Sequence, residues 1–462
     1  MTRDLTDSLQ AQRQAAGPAL FPTLAVRRER LARLASMTKR HQQAIVRAIQ
    51  RDFGQRSETE IHLAEIIPVL HAARHARRHL WHWMRPRRAG VPLRLWPARA
   101  RIAPQPLGVV GVMSPWNYPW SLSLMPVIDA LAAGNTVMLK PSELTPHTSA
   151  LLAKLPLMMG LIAMMLVPQY FTPEEFCVIQ GGIEVARAFS ALPFDHLVFT
   201  GSTHVGRQVA MAAAANLTPV TLELGGKSPA LVASDADLDS AADAIIFGKG
   251  FNGGQTCIAP DYVIVESRRL DALTHALERA IRRQRPTDIE ATGYVSEAHR
   301  VRIDALLNDA RDHGCRVIEH GDHAPALVID PHQRLPLMQE EIFGRALPVI
   351  SVKRIDDAVR LINQRPHPLV LYAFTHQTTL QETLRRGTRS GALVFNDTLI
   401  HHAVPSLPFG GVGESGSGAY HGRHGFERFS HLRSMFYQSK RPSSRWLRPP
   451  YHRWLLKLLR LG

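Results

Sequence analysis

The sequence predicts an α/β protein that contains two successive parallel β-sheets. Three observations predict this class: a helical stretch of 90 residues at the start, apolar runs that alternate with helix-like stretches, and a second such alternation after Gly225–Gly226. Strands and helices that alternate along a chain form parallel sheets whose faces the helices cover. At about 150 residues per domain, a chain of this length has room for about three domains.

The first elements are predicted to be helices. Apolar residues recur with helical spacing between Leu31 and Ile49 and again between Ile61 and Leu70. Pro86 and the Gly90–Pro92 stretch then end the helical pattern.

The first predicted sheet follows, with a helix expected at Ser121–Ala133 and another at Val205–Ala215. Functional side chains are expected where its parallel strands end. The five apolar runs predicted as its strands are Leu107–Met113, Thr136–Leu139, Phe176–Ile179, His196–Thr200 and Pro219–Leu224.

The second predicted sheet repeats this alternation beyond the Gly225–Gly226 turn, which is the predicted domain boundary. Its predicted strands are Pro229–Val232, Tyr262–Val265, Leu347–Val352, Leu369–Phe374 and Ala392–Phe395. Its predicted helices lie near Ala241–Phe251, Leu273–Ile281, Val301–Ala310 and Asp356–Ile362.

Composition excludes several classes of protein. The chain of 462 residues has 55 Lys and Arg against 39 Asp and Glu, a formal charge of +16, which permits a phosphate-bearing partner. It shows no zinc-finger spacing and no RNA-recognition signature, so no nucleic-acid partner is predicted. The three cysteines have no CxxC spacing, so no metal site is predicted, and their scarcity favours a reducing, cytoplasmic compartment.

Two segments carry predictions about membranes. Leu155–Val167 is apolar but shorter than the about 18–20 residues that a bilayer requires, so a buried helix is predicted there. The basic, amphipathic tail Trp446–Leu461 is predicted to pack on the protein or to be disordered, and binding to an anionic membrane surface is the alternative hypothesis.

Three residues are candidates for chemistry at a carbonyl group. Cys257 follows a Gly-rich turn and can act as a nucleophile, although an inert buried thiol is the alternative. Glu223 ends a strand and can activate water as a base, or it can simply pair with Lys227. Asn117 has an amide that can stabilise an oxyanion, or it can make a local turn hydrogen bond.

Two further motifs suit a nucleotide. Lys140 and Glu143 can bind ribose hydroxyls after their strand, although this stretch can equally provide a helix cap at Ser142 or Thr145. The glycines of the segment 199–206 lie between a strand and a helix, where backbone N–H groups can approach a phosphate.

Taken together, these motifs resemble the NAD(P)-dependent aldehyde dehydrogenase superfamily. The resemblance runs from about Leu31 to Phe436, and the 34 residues that separate Glu223 from Cys257 match the family pattern. Within the superfamily the chain is similar to the class 3 branch, and most similar to its coniferyl-aldehyde dehydrogenases. The motifs, in the order of the family, are PWNYP (115–119), LKPSE (139–143), FTGSTHVG (199–206), LELGGKSP (222–229), GQTC (254–257), EEIFG (340–344) and LPFGGVGESG (407–416).

The resemblance implies a fold and a domain division. It implies a Rossmann-like parallel-sheet cofactor domain, a second α/β catalytic domain, and a small oligomerisation or bridging element. The expected divisions are 1–222 for the helical N-terminus and cofactor domain, 223–395 for the catalytic domain, 396–440 for the return segment and bridging element, and 441–462 for the tail. The apolar stretch Pro156–Leu166 is longer than the family pattern, so its effect on packing is open.

The resemblance also implies roles for single residues. Cys257 would form a thiohemiacetal and then a thioester with the aldehyde, Asn117 would hold the oxyanion, and Glu223 would activate the hydrolytic water. The implied cofactor is NAD, with NADP as the alternative. The implied cofactor-binding residues are Trp116, Lys140, Glu143, Gly201, Ser202, Gly206, Glu341 and Phe343.

Three functional hypotheses follow. The first is oxidation of an aromatic, hydroxycinnamyl or medium to long aliphatic aldehyde to its acid, by a homodimer in the cytoplasm. The second is an enzyme that passes the acyl group to coenzyme A, and Glu223 argues against it because acyl transfer to a thiol has less need of a base. The third is an inactive binding protein with a basic surface.

Overall fold

The computed structural model describes residues 2–16, 21–153, 166–287, 290–442, 444–445, 448–450 and 454. Most of the apolar segment Leu155–Val167 and most of the tail Trp446–Leu461 therefore lie outside the described residues. Among those described, no helix combines the length and the hydropathy that crossing a bilayer requires.

The N-terminal region is helical, as predicted. The helix Leu24–Arg40 buries Leu31 and Leu34, and the helix Gln42–Phe53 buries Ile45 and Ile49, on faces with helical spacing. A π-helical turn at His62–Ile66 joins α4 to α5. The helices are α1 (Thr2–Ala16), α2 (Leu24–Arg40), α3 (Gln42–Phe53), α4 (Glu58–Ile61) and α5 (Ile67–Met84).

The first sheet has six strands in the order β15-β7-β6-β3-β4-β5, and only β15 pairs antiparallel. Each predicted apolar run contributes a strand, and β3 and β4 are buried at every position because helices cover both faces. The strands are β3 (Val109–Met113), β4 (Thr136–Lys140), β5 (Phe176–Val178), β6 (His196–Gly201), β7 (Val220–Leu224) and β15 (Gly416–Ser417). The helices between them are α6 (Ser121–Ala133), α7 (Pro146–Leu152), α8 (Val167–Tyr170), α9 (Ile183–Ser190) and α10 (Thr203–Ala214).

The second sheet has seven strands in the order β10-β11-β12-β9-β8-β13-β14, parallel except where β10 pairs with β11. Gly225 and Gly226 lie between the last parallel strand of the first sheet and the first strand of the second. The strands are β8 (Pro229–Val232), β9 (Tyr262–Glu266), β10 (Arg316–Ile318), β11 (Ala326–Ile329), β12 (Ala346–Val352), β13 (Val370–Phe374) and β14 (Ala392–Phe395). The helices are α11 (Leu238–Gly250), α12 (Leu270–Gln284), α13 (Glu297–Asp312), α14 (Pro336–Gln339), α15 (Ile355–Asn363) and α16 (Thr378–Gly387).

A third, antiparallel sheet was not predicted. It consists of β1 (Arg87–Ala89), β2 (Arg99–Pro106) and β16 (Ser430–Tyr437), in the order β1-β2-β16. The short helix α17 (Gly422–Arg428) leads into β16. All eight residues of β16 pair with β2, so a segment near the C-terminus is fastened to one that precedes the first parallel sheet.

Candidate active site

Cys257 lies in a loop that internal hydrogen bonds hold rigidly. After α11 the backbone takes left-handed conformations at Asn252 and Gly253 and then reaches the cysteine. The buried Gln255 side chain donates to the carbonyl oxygens of Asn252 and Gly293, at 3.0 Å in each case. Cys257 as a residue is partly exposed at the end of this loop.

Asn117 is held against the same loop. Its side-chain Nδ2 donates to the carbonyl oxygen of Gln255 at 3.1 Å, and its own carbonyl oxygen accepts from Asn252 Nδ2 at 3.1 Å. The first bond spans 138 residues of sequence, so the alternative of a local turn hydrogen bond is wrong. Because an amide nitrogen carries two N–H groups, the second remains to bind a ligand.

A buried ion pair, which the sequence did not reveal, supports the loop that carries Asn117. Arg56 Nη1 lies 2.9 Å from Glu65 Oε1, and both side chains are fully buried. The other oxygen of Glu65 accepts from the backbone N–H groups of Trp120 and Ser121 at 3.1 and 2.8 Å. The pair thereby fixes the segment 115–121, where it enters α6.

Glu223 lies on β7, between Thr200 of β6 and Gly416 of β15. It is buried, and among the described residues neither of its carboxylate oxygens has a hydrogen-bond partner. Burial therefore raises its pKa well above the ordinary value. The alternative pairing with Lys227 is wrong, because Lys227 forms its ion pair with Asp261.

The electrostatic interactions of Cys257 show which acidic groups are near it. Burial, together with the charges of Glu341 and Glu223, raises the pKa of its thiol to about 12. The nucleophile candidate and the base candidate are therefore close enough to interact electrostatically. The thiol is protonated at neutral pH unless a base removes its proton.

Two buried tyrosines adjoin the thiol and were also missed by the sequence analysis. The hydroxyl of Tyr372 donates to the carbonyl oxygen of Ile258 at 2.6 Å and accepts from the N–H of Leu399 at 3.2 Å. The thiol of Cys257 interacts electrostatically with the hydroxyls of both Tyr372 and Tyr420. Tyr372 lies in an apolar strand, where it has no sequence signal beyond that of the core.

The predicted phosphate-binding segment has the geometry of an anion site. Ser202 is the N-cap of α10, and its hydroxyl accepts from the N–H of Val205 at 3.4 Å. The N-terminus of α10 is largely exposed, so its remaining N–H groups face solvent. Gly206 lets the helix approach β7, because a Cβ there would lie 2.7 Å from a methyl carbon of Leu224.

Lys140 and Glu143 form an ion pair with each other at the end of β4. Thr145 occupies the N-cap position of α7 but makes no side-chain cap bond. Instead, Asp52 accepts from the N–H groups of His147 and Thr148, at 2.8 Å each. The alternative that this stretch serves only as a helix cap is therefore not what the structure shows.

Trp116 and Phe343 pack against each other, and Glu341 lies beside Gly225. The rings of Trp116 and Phe343 meet edge to face, with centroids 5.3 Å apart. A Cβ at Gly225 would overlap the carboxylate of Glu341, so only glycine permits this approach. Burial raises the pKa of Glu341 to about 8.

A cavity of about 430 Å³ is lined by Thr203 of α10, Gly225 and Glu341. A helix N-terminus and a carboxylate that line one cavity suit the phosphate and the ribose of a nucleotide. These lining residues therefore fit part of a dinucleotide.

Known proteins share both the sequence and the fold of this chain. The model of the aldehyde dehydrogenase family matches residues 5–435. A probable coniferyl aldehyde dehydrogenase of Pseudomonas aeruginosa is 42% identical over 448 residues, which cover 95% of this chain and 92% of that protein. A dimeric NADP-preferring aldehyde dehydrogenase of Rattus norvegicus is 35% identical over 446 residues, which cover 94% of this chain and 95% of that protein.

The solved structure of a Staphylococcus aureus AldH in a substrate-bound state has a TM-score of 0.91 at 35% identity and covers 99% of both chains. Because the agreement spans nearly the whole chain, this protein belongs to the aldehyde dehydrogenase family and is an NAD(P)-dependent enzyme that oxidises an aldehyde to the carboxylic acid.

Proposed function

We propose that the Sγ of Cys257 attacks the carbonyl carbon of the aldehyde, forming a carbon–sulfur bond. The oxygen that becomes negative is held by the free N–H of Asn117 and by the backbone N–H of Cys257. Each donor of this kind stabilises a transition state by about 3–4 kcal/mol. The observation that carries this proposal is the bond from Asn117 Nδ2 to Gln255, which fixes the amide beside the thiol loop.

Glu223 is proposed to activate the hydrolytic water. The thiol of Cys257, which is protonated at neutral pH, loses its proton to solvent before it attacks the aldehyde. The ionised Glu223 carboxylate then takes a proton from water as that water attacks the thioester. The carbon–sulfur bond breaks, the acid is released, and the departing thiolate regains a proton. Among the described residues neither oxygen of Glu223 has a hydrogen-bond partner, so both are available to water.

The cofactor is proposed to lie along the cavity that starts at α10. Gly201, Ser202 and Gly206 would receive the diphosphate, Lys140 and Glu143 one ribose, and Glu341 the other, with Phe343 and Trp116 beside the nicotinamide. The chemistry that NAD(P) supplies when bound is acceptance of the hydride that leaves the adduct carbon. NAD is the proposed preference, because the Glu143 carboxylate would repel a 2′-phosphate. Measuring kcat/KM with NAD and NADP in parallel tests this against the NADP preference of the rat relative.

The proposed substrates are aromatic aldehydes of the hydroxycinnamyl type, with medium and long aliphatic aldehydes as the second class. The similarity to a probable coniferyl aldehyde dehydrogenase supports this choice. So do the aromatic rings of Tyr372, Phe409 and Tyr420, which belong to the core cluster against which Cys257 packs. NADH formation over a panel of aldehydes tests it, with Cys257→Ala as the control that must abolish turnover.

Hydrolysis is proposed rather than transfer to coenzyme A. A buried carboxylate with two unpartnered oxygens suits activation of a water molecule. Adding coenzyme A should leave the rate unchanged and the free acid as the product. An acyl-coenzyme A product would favour the second hypothesis, and no turnover with any aldehyde would favour the inactive one.

The proposed assembly is a homodimer in the cytoplasm. β16 is an edge strand that carries three exposed apolar side chains, those of Leu432, Phe436 and Tyr437. An exposed apolar edge of this kind tends to pair with another chain, and the rat relative is described as dimeric. Sedimentation of the purified protein tests the dimer. Binding to anionic liposomes at low salt tests the alternative role of the tail.

A further inference from the structure

Three histidines lie near the buried aromatic rings of Phe409 and Tyr420. His401 and His402 lie in a short 3₁₀ turn, Ile400–Ala403, and His421 follows Tyr420. The ring of His402 packs 4.7 Å from that of Phe409 and 4.9 Å from that of His421. We call His401, His402, Phe409, Tyr420 and His421 the histidine cluster.

Several polar atoms of this cluster have no hydrogen-bond partner among the described residues. Both ring nitrogens of His401 are buried without a hydrogen bond, and so is Nδ1 of His402. A neutral imidazole always has one donor and one acceptor nitrogen, so such a ring requires a partner that can satisfy it. In the part of the chain that the structure describes, no group of His, Cys, Asp or Glu is placed to hold a metal ion.

One side chain connects the cluster to the thiol. The hydroxyl of Tyr372 bonds at once to Ile258, next to Cys257, and to the N–H of Leu399, just before the histidine turn. The rings of Tyr372 and His401 are 6.2 Å apart. The thiol loop and the histidine turn therefore both contact the side chain of Tyr372.

We propose that His401 and His402 bind a hydroxyl group on the far end of an aromatic aldehyde whose carbonyl group lies at Cys257. This proposal rests on the proposed function and names the feature of the substrate that the enzyme selects. The two histidines are specificity-determining residues, and the reaction at Cys257 does not need them.

The chemistry of the two rings indicates which group they recognise. Burial lowers the pKa of His401 and of His402 to about 4, with a smaller contribution from the charge of His401 in the case of His402. Both rings are therefore uncharged at neutral pH. Each offers a donor and an acceptor, which matches a neutral hydroxyl group better than a carboxylate or an ammonium group.

The test compares two substrates, 4-hydroxycinnamaldehyde and cinnamaldehyde, which differ only in the hydroxyl group. His401→Phe and His402→Phe are each expected to lower kcat/KM for the hydroxylated aldehyde at least about tenfold, mainly through KM. The value for cinnamaldehyde should be unchanged or higher. His402→Gln keeps a donor and an acceptor and should recover part of the loss.

The matched control is His424→Phe, because His424 is an exposed histidine on α17. It should leave both substrates unaffected. An equal loss of kcat/KM for both aldehydes in the Phe variants would overturn the proposal. So would an unchanged kcat/KM for both aldehydes. If the wild-type enzyme oxidises neither aldehyde, the proposed substrate class itself has failed.

Discussion

At the scale of the residue, the reactivity of the site depends on how one thiol and two carboxylates share a buried pocket. Cys257 is protonated at neutral pH mainly because burial disfavours its thiolate. Glu341 has a pKa of about 8, so its charge opposes the thiolate only above that pH. The sequence identified all three residues, but their effects on one another depend on distances that a sequence does not contain.

Replacing Glu341 should make the thiol more reactive in alkaline solution. In Glu341→Gln the repulsion is gone, so alkylation of Cys257 above pH 8 should be about threefold to tenfold faster than in the wild type. Well below that pH the two rates should converge, because Glu341 is then protonated. Peptide mass spectrometry with iodoacetamide measures this, and the exposed neighbour Glu340→Gln is the control. Equal rates at alkaline pH would mean that Glu341 does not act on the thiol.

The breakdown of the thioester should become faster as the pH rises. Burial raises the pKa of Glu223, so the carboxyl group is inactive as a base below that pKa and active above it. Single-turnover release of the acid should therefore increase with pH in the wild type. In Glu223→Gln it should be slower by about 10²–10⁴-fold and almost independent of pH. An unchanged pH profile in that variant would assign the base to another group.

At the scale of the element, the loop that carries Asn117 depends on the buried pair of Arg56 and Glu65. Breaking a buried pair leaves an uncompensated charge and costs about 3–5 kcal/mol. Glu65→Gln should lower the free energy of unfolding by this amount and reduce kcat. Urea denaturation measures the first effect. Glu58→Gln is the matched control, because Glu58 is 53% exposed and its contacts with Gln43 and His62 lie at the surface. Equal destabilisation in both variants would contradict the role of the pair.

Elements with a strong apolar pattern were predictable. The runs that became β3, β4 and β8 are buried on both faces and therefore contain few polar residues. β2 was missed because its sequence, RARIAPQP, has two prolines and weak alternation, and its pairing with β1 and β16 depends on distant segments. Arg56 and Glu65 were missed because the sequence does not show which charged side chains are buried together.

At the scale of the whole molecule, the antiparallel sheet exposes β16 as an unpaired edge. If two copies associate through it, Leu432→Glu combined with Phe436→Glu should convert the dimer into monomers, because charges at an edge oppose pairing. Analytical ultracentrifugation measures the mass, and His431→Glu, at another exposed position of the strand, is a control for added charge. A dimer that persists in the double variant would place the interface elsewhere.

The proposed mechanism requires a covalent acyl group on Cys257, which water activated by Glu223 hydrolyses. The most direct measurement is the intact mass of Glu223→Gln, quenched shortly after it is mixed with NAD and cinnamaldehyde. We expect a burst of one NADH per chain, a mass increase equal to one acyl group, and peptide mapping that places the group on Cys257. A burst without added mass, or an acyl group on another residue, would contradict the account.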